Sequence, residues 1–365
     1  MGTFKQSGNM SLAKPIRKTM KRGGDKSLAI SMDDAYDYNI LGDVDPDDLY
    51  EDLKSSHEGF IQSLKSSSVD EKALEDQISD AMARMVHGSN MIESAGGELD
   101  TTLKLCRAIF QGERQNIPEI QEEDADYEGL GRDLAQRRVP HGIDAILRSH
   151  HEIVQHAKAT RYIINEVYIK GKDISEDTIL QTHRILTRKL DTEDGMSWKE
   201  YSGVYRDCDV SAGLHQYIDP RLVPGVMRAM IRSLNGNLQD AIKCGEIDPI
   251  ALAAKYSHTF VNIHPFVDGN GRVCRLILNA LLLKYTGIII CIGEEELDRE
   301  KYMEVAIAGS MAEASAHEED MDGLDEHYKP KHYKGLASFT LQHSCDSMRK
   351  LTDLLKKSQA WSLLM

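Results

Sequence analysis

The sequence predicts an all-α, mainly helical protein carrying one small β-hairpin. Apolar residues fall at three- and four-residue steps through most of the chain from Leu74 onward, the spacing of amphipathic helices. Only the segment Gly195 to Pro224 breaks the pattern. There Trp198, Tyr201, Val204, Tyr205, Val210 and Tyr217 are separated by Ser, Gly and Asp, which reads as short strands and turns with a hairpin through Asp207 to Gly213. No internal repeat is visible.

The helices can be taken in order. Leu74, Ile78, Met82, Met85 and Val86 mark a first one, which carries Ser89-Asn90-Met91-Ile92-Glu93 and should end near Gly96-Gly97. Ser89 and Glu93 are four apart and share a face; on spacing alone Glu93 is a solvated carboxylate. Leu99 to Gln111 follows, then Gly142 to Tyr168 after the Pro140 break. Ile174 to Leu190 is capped by Asp173 or Ser175 and puts Ile179, Thr182, His183 and Leu186 on one side. Pro224 opens another helix, and Pro249 to Ile263 runs up to Pro265, which stops it. After Gly271 a helix packs Leu276, Ile277, Ala280, Leu281 and Leu283 inward and ends at Gly287; Tyr302 to Met311 and Leu336 to Leu364 complete the set.

Composition places the chain among soluble globular proteins: 365 residues, 41% hydrophobic and 28% charged. The net charge of -15 argues against a general nucleic-acid binder, which needs a basic face. No hydrophobic run spans a bilayer, since Asn279, Lys284 and Gly287 interrupt the longest candidate, so no membrane association is expected. Six scattered cysteines without a Cys-x-x-Cys pair read as reduced thiols. The expectation is an intracellular, soluble protein, cytoplasmic by default; the basic residues Lys5 to Lys26 raise a mitochondrial address as the alternative to a plain tail.

Residues 1–68 are expected to be a disordered or weakly ordered charged segment. Its acidic stretch, Met32 to Asp52, pairs with the basic tail before it, and order starts near Val69. Residues 69–173 form an N-terminal helical region, 174–315 the main domain, and 316–365 an acidic linker with a C-terminal helix. Two metal readings fail. Asp43-x-Asp45-x-Asp47 lacks a properly placed Gly and terminal Glu for calcium. His151 and His156 lie about 500° apart around a helix, so they share no face for zinc.

The densest chemistry lies in His264-Pro-Phe-Val-Asp-Gly-Asn-Gly-Arg-Val-Cys-Arg275. Gly269-Asn270-Gly271 sits just before a helix, where free backbone N–H groups can converge on phosphate oxygens, and the Asn270 amide can add a donor. Arg272 and Arg275 can pair with further phosphates through their planar forks. Asp268 is an oxygen ligand suited to a magnesium ion shared with a phosphate chain. His264, with an intrinsic pKa of about 6.5, can accept a proton from an attacking hydroxyl. Together these residues imply displacement at a phosphorus centre through positioning and charge neutralisation.

The stretch resembles, without a mismatch, the signature of the Fic (Fido) family, His-Pro-Phe-x-Asp/Glu-Gly-Asn-Gly-Arg-x-x-Arg. The resemblance implies a helical Fic/Fido fold and transfer of AMP from ATP, with Mg2+, to a hydroxyl side chain of a target protein. It implies His264 as general base, Asp268 as metal ligand, and Gly269, Asn270, Gly271, Arg272 and Arg275 around the phosphates. The kinases of the same fold depart at the second Gly of Gly-Asn-Gly; this chain does not, which favours AMP over phosphate transfer. Gly203-Val204-Tyr205-Arg206 through Val210 is similar to the family's flap, which holds the target's extended segment by strand pairing. Ser89 to Glu93 resembles the inhibitory motif Ser/Thr-x-x-x-Glu-Gly/Asn of the class with an N-terminal autoinhibitory helix, in which the Glu pairs with the second motif Arg, here Arg275. Ser94 stands where that motif has Gly or Asn. Tyr302 matches the Tyr that the family turns toward the nucleobase, whereas Gly309-Ser310 stand near the usual place of an Asn. Three alternatives stay open: removal of AMP at the same site, a Fic enzyme using another nucleotide or a phosphocholine donor, and a non-catalytic nucleotide-binding regulator. The oligomeric state, a homodimer included, is open as well.

Overall fold

Asp248 and His264 bracket the helix around which the molecule is built. In a computed structural model the chain is described over residues 11–22, 28–65, 70–112, 117–212, 215–318 and 330–362. Helix α10, Pro249–Ile263, packs antiparallel beside α11, Asn270–Thr286, and the two form the most extensive helix pair in the fold. Buried residues run all the way round α11, from Val273 to Leu283, as expected of a helix enclosed on every side. Its neighbours are α3 (Glu71–Ile92), α6 (Ile143–Ile164, continued by one turn of π-helix Asn165–Ile169) and α7 (Glu176–Leu186). Helix α10 meets α9 (Val223–Cys244), α12 (Glu296–Glu318) and α13 (Lys334–Ser362). Helices α4 (Leu99–Phe110) and α5 (Ala125–Gln136) buttress α3 and α6. The architecture is therefore all-α with two minimal β ladders.

Local sequence explains the two ends of α10. Asp248 caps it, accepting from the N–H groups of Ile250 and Ala251 at 3.0 Å each, and Pro249 occupies the first turn, where no N–H is needed. At the other end His264 takes φ 49°, ψ 60°, and Pro265 forbids a further turn.

The expectation that residues 1–68 are weakly ordered is corrected. Helices α1 (Ala13–Arg22) and α2 (Pro46–Lys65) form, and Ile16, Tyr50, Leu53 and Phe60 are essentially fully buried. Burying such side chains stabilises by about 1.5–3 kcal/mol each, which offsets the cost of ordering a charged segment. Strand β1 (Ala29–Ile30) pairs in parallel with β4 (Glu246–Ile247), immediately before the Asp248 cap. Tyr36 then donates its hydroxyl to the Asp248 carboxylate at 2.9 Å, and the Asp33 N–H donates to it at 2.8 Å. The basic α1 does not pair with the acidic stretch: Arg17 and Lys21 bind Glu71 at the start of α3, and Arg17 reaches Glu75 at 3.5 Å. The acidic stretch instead meets the C-terminal part, through Asp52–Arg349 at 2.6 Å and Asp34–Lys334 at 3.1 Å.

The expected linker after residue 315 also differs. Helix α12 continues to Glu318, with Glu313 held by His258 at 2.7 Å; residues 319–329 of the expected linker lie outside the described residues.

Candidate active site

His264 sits in the left-handed region because the chain must turn sharply between the end of α10 and the loop to α11. That conformation costs a non-glycine residue roughly 1–2 kcal/mol, and its surroundings hold it. Arg206 donates from Nε to the His264 carbonyl at 2.7 Å, and the Arg206 N–H donates to the Pro265 carbonyl at 2.9 Å. The imidazole Nδ1 lies 3.2 Å from the Val261 carbonyl; a carbonyl only accepts, so Nδ1 carries the proton and Nε2 keeps its lone pair. Tyr217 stacks on the ring, centroids 3.9 Å apart. Burial, aided by the nearby Arg206 cation, pushes the His264 pKa down to about 4. The ring is thus neutral near pH 7 and able to take a proton.

The following loop is closed on itself. Phe266 is fully buried, its N–H donating to Asn270 Oδ1 at 3.0 Å while Asn270 Nδ2 donates to the Phe266 carbonyl at 2.8 Å. The Asn270 side chain therefore clamps the loop through Oδ1 and one N–H of its amide, which leaves the second N–H of Nδ2 for the donor role expected of it. Asp268 points outward with its side chain 38% exposed; its Oδ1 accepts from the Gly269 N–H at 2.6 Å and its Oδ2 is 3.4 Å from an Arg272 Nη. Gly269 adopts φ 80°, a conformation that glycine takes freely.

At the start of α11 the first N–H groups have no partner within the helix, and they carry the positive end of its dipole. Arg272 lies there, 4% exposed, and its Nε and one Nη are buried without a hydrogen-bond partner. Buried guanidinium donors left unpaired are costly, so the Arg272 fork is chemically suited to an anionic partner.

Arg275, one turn on, is fully engaged. It donates from Nε to Ser89 Oγ at 2.8 Å, and from Nη2 to the Ser89 carbonyl at 2.9 Å and to Glu93 Oε1 at 2.5 Å. Burial presses against its charge, but the adjoining Glu93 carboxylate together with Tyr302 and Cys274 outweighs it and raises its pKa. Glu93 reaches the helix start itself: a Cβ on Gly271 would lie 2.0 Å from Glu93 Oε1. The carboxylate thus lies against the start of α11, in space that only a glycine leaves open.

Helix α3 ends at Ile92, earlier than the expected Gly96-Gly97, with Glu93 at its cap. Ser94 has φ 53°, which explains why the motif it resembles prefers Gly or Asn at that position. The turn is braced by Arg137, which donates to the carbonyls of Ser94 (3.2 Å) and Gly96 (2.8 Å), by Glu152, which accepts from the Gly96 N–H (2.6 Å), and by His156, 2.7 Å from Asn90 Oδ1.

The flap differs from expectation. The hairpin pairs Ser211 with Gln216 and Ala212 with His215, later than Asp207 to Gly213; Gly213 lies outside the described residues. Gly203, Tyr205 and Arg206 are stem rather than hairpin. Arg206 is 3% exposed and also donates to the carbonyls of Cys208 (3.0 Å) and Ile218 (2.6 Å), so it braces and cannot face a target. Tyr205 leans on Phe266, whereas Val204 is 52% exposed and Val210 accepts from the Tyr217 N–H at 3.3 Å. Tyr302 is buried, its ring under the Arg275 guanidinium at 5.6 Å.

Sequence reasoning gave His183 and Tyr217 no role, and both line the loop. For His183 the signal was present: a histidine on an otherwise apolar helix face. For Tyr217 there was none beyond its place in the hairpin.

Residues 173–282 match the model of the Fic/DOC family. A Fido domain-containing protein of Dictyostelium discoideum is 40% identical over 83 residues, 23% of this chain and 55% of that protein. The protein adenylyltransferase Fic of Drosophila melanogaster is 33% identical over 143 residues, 39% of this chain and 26% of that protein, so the matches span between a quarter and just over half of these relatives. Two solved structures share the fold: a Fic domain-containing signaling protein from Bacteroides thetaiotaomicron, with TM-score 0.58, 19% identity, 86% of this chain and 98% of that one, and Fic-1 from C. elegans, with TM-score 0.57, 20% identity, 86% and 74%. Among the described residues no helix is long and apolar enough to cross a membrane. Residues 173–282 of this chain match the Fic/DOC family, within a helical fold shared with solved structures of Fic proteins.

Proposed function

We propose that this chain is a protein adenylyltransferase, moving AMP from ATP to a hydroxyl side chain of a target protein and restrained by its own Glu93. The observation that carries the reading is the pair of unpartnered, buried Arg272 donors at the start of α11, on the same short loop-and-helix stretch as the neutral imidazole of His264. Relatives named protein adenylyltransferase support the same reading.

In this reading Arg272, the free N–H groups of Asn270, Gly271 and Arg272, and Arg275 bind the phosphates. Asp268 would hold magnesium. Among the described residues no three His, Cys, Asp or Glu side chains gather to bind a metal unaided. One carboxylate, with phosphate oxygens and water completing the shell, is how magnesium is commonly held beside a nucleotide. The ion would neutralise phosphate charge. The target hydroxyl oxygen forms a bond to the α-phosphorus as the bond to pyrophosphate breaks, and its proton passes to His264 Nε2. Arg275 has two competing partners, Glu93 and the nucleotide, and transfer requires that Glu93 give way.

The test is the position of the label. With Glu93→Gly protein and a cell lysate, ATP labelled at the α-phosphate should label protein and γ-labelled ATP should not; His264→Ala added to that variant should abolish labelling. Label from the γ position alone would make the enzyme a kinase and overturn the reading.

A further inference from the structure

Helix α7 contributes one residue to the site that has no reacting partner. His183 is fully buried and both ring nitrogens are used. The Gly203 N–H donates to Nδ1 at 2.8 Å, and Nε2 lies 2.9 Å from the Asp268 carbonyl. An amide N–H only donates and a carbonyl only accepts, so the ring is the Nε2–H tautomer. It stacks on Phe266 with centroids 3.7 Å apart and planes 3° from parallel. Four residues on, Thr187 bonds to the His183 carbonyl at 2.9 Å and to Ser202 Oγ at 2.6 Å, beside Gly203. Of the glycines on either side of the ring, Gly203 is crowded and Gly269 lies in ordinary contact with it. A Cβ on Gly203 would lie 2.7 Å from the Leu180 carbonyl oxygen, and one on Gly269 would lie 3.5 Å from His183 Nε2. One imidazole therefore joins the stem of the flap to the backbone of the carboxylate proposed to hold the metal.

We propose that His183 is a positioning residue that sets the flap stem and Asp268 in one register, Nδ1 fixing the first and Nε2 the second. The inference rests on the adenylyltransferase reading and deepens it: the same side chain aligns the target's strand and the nucleotide's metal. Alignment of two reactants matters because a misplacement of about 1 Å can cost ~10²-fold in rate. Since each nitrogen serves one side, the two functions are separable, which a residue that merely fills space would not allow.

The test uses the full chain carrying Glu93→Gly and two substitutions. His183→Asn keeps an acceptor near the Nδ1 position and loses the donor to Asp268; His183→Gln places an amide donor near the Nε2 position and loses the acceptor for Gly203. The first readout is amide hydrogen exchange over residues 203–206, which needs no ligand. The second is the Mg2+ concentration giving half-maximal ATP binding, read by calorimetry. His183→Gln should speed exchange at Gly203 by about tenfold or more and leave the magnesium requirement within about twofold. His183→Asn should raise the magnesium requirement about tenfold and leave exchange within about twofold. Phe266→Leu, which removes the stacked ring but neither nitrogen's bond, should lower the melting temperature and move neither readout. Parallel changes in both readouts, no change in either, or both moving in Phe266→Leu would overturn the proposal. Failure of Glu93→Gly itself to bind ATP with Mg2+ would instead count against the adenylyltransferase reading, and the exchange arm would still decide the role of His183.

Discussion

The Arg275 guanidinium holds Glu93 at 2.5 Å and Ser89 at 2.8 Å, joining helix α11 to helix α3 across 182 residues of sequence. In the proposed reading the same guanidinium also binds phosphate at the start of α11. A contact that completes the fold would then fill the place where phosphates bind, and its strength would set how much of the protein is open.

Ser89 contributes a hydroxyl to this contact. Ser89→Ala removes one hydrogen bond to a charged group, at the lower end of about 1.5–3 kcal/mol, and leaves the carboxylate in place. Basal adenylyl transfer should rise roughly 5- to 30-fold, measured as labelled protein per minute at saturating ATP. An unchanged rate would show that Glu93 needs no help from Ser89.

Ser94 carries backbone strain just after helix α3, with φ 53°. Ser94→Gly relieves about 1 kcal/mol at that position. The expected result is a melting temperature about 2 °C higher. Basal transfer should fall about fivefold, because the turn that presents Glu93 becomes firmer. Differential scanning calorimetry and the transfer assay check the two halves independently.

Arg272 trades stability for binding. Its Nε and one Nη are buried without partners, an arrangement that costs about 1–3 kcal/mol in the absence of an anion. Arg272→Met should therefore raise the melting temperature of the ligand-free protein while abolishing the further rise that ATP with Mg2+ gives the parent. A variant that is both less stable and still stabilised by ATP would contradict this assignment.

Acid should unfold the protein over a defined window. Burial pushes His87, His150, His183 and His264 each down to about 4. In the unfolded chain they titrate near ~6.5, so between these values the unfolded state binds more protons. Stability should be complete above about pH 6.5 and fall toward pH 4, by up to ~1.4 kcal/mol per pH unit for each histidine. Asp248, pushed up to about 6 by burial, binds its proton in the folded state first and opposes the trend between about 4 and 6. Urea unfolding at pH 7.5, 6 and 5 should show a loss steeper than one group can give. Transfer itself should be flat from pH 6 to 8 as far as His264 is concerned, since its protonation lies near about 4.

Much of the site was legible because its residues act on their neighbours in sequence. Pro249 and Pro265 set the bounds of α10, Gly269 precedes α11, and Ser89 and Glu93 share a helical face. What escaped was decided by long-range contact. The N-terminal segment looked disordered because its few apolar residues, Ile16, Tyr50, Leu53 and Phe60, are diluted by charges that turn to solvent. Arg206 resembled a flap residue, yet the carbonyls of Cys208 and Ile218 within its own segment, and of His264 from a distant one, draw it inward. Asn270 matched a phosphate ligand by type and spacing, and only the loop geometry reveals that its amide also clamps Phe266. His183 was placed on the correct face of α7, but nothing local to it indicates Asp268 or Gly203.

The account turns on the competition for Arg275. The most direct measurement is the initial rate of AMP transfer by the parent chain and by Glu93→Gly at equal, saturating ATP and Mg2+. Loss of a buried charge-assisted bond of about 1.5–3 kcal/mol predicts a rate at least ~10-fold higher for the variant. Equal rates in the two proteins, or no transfer by either, would contradict it.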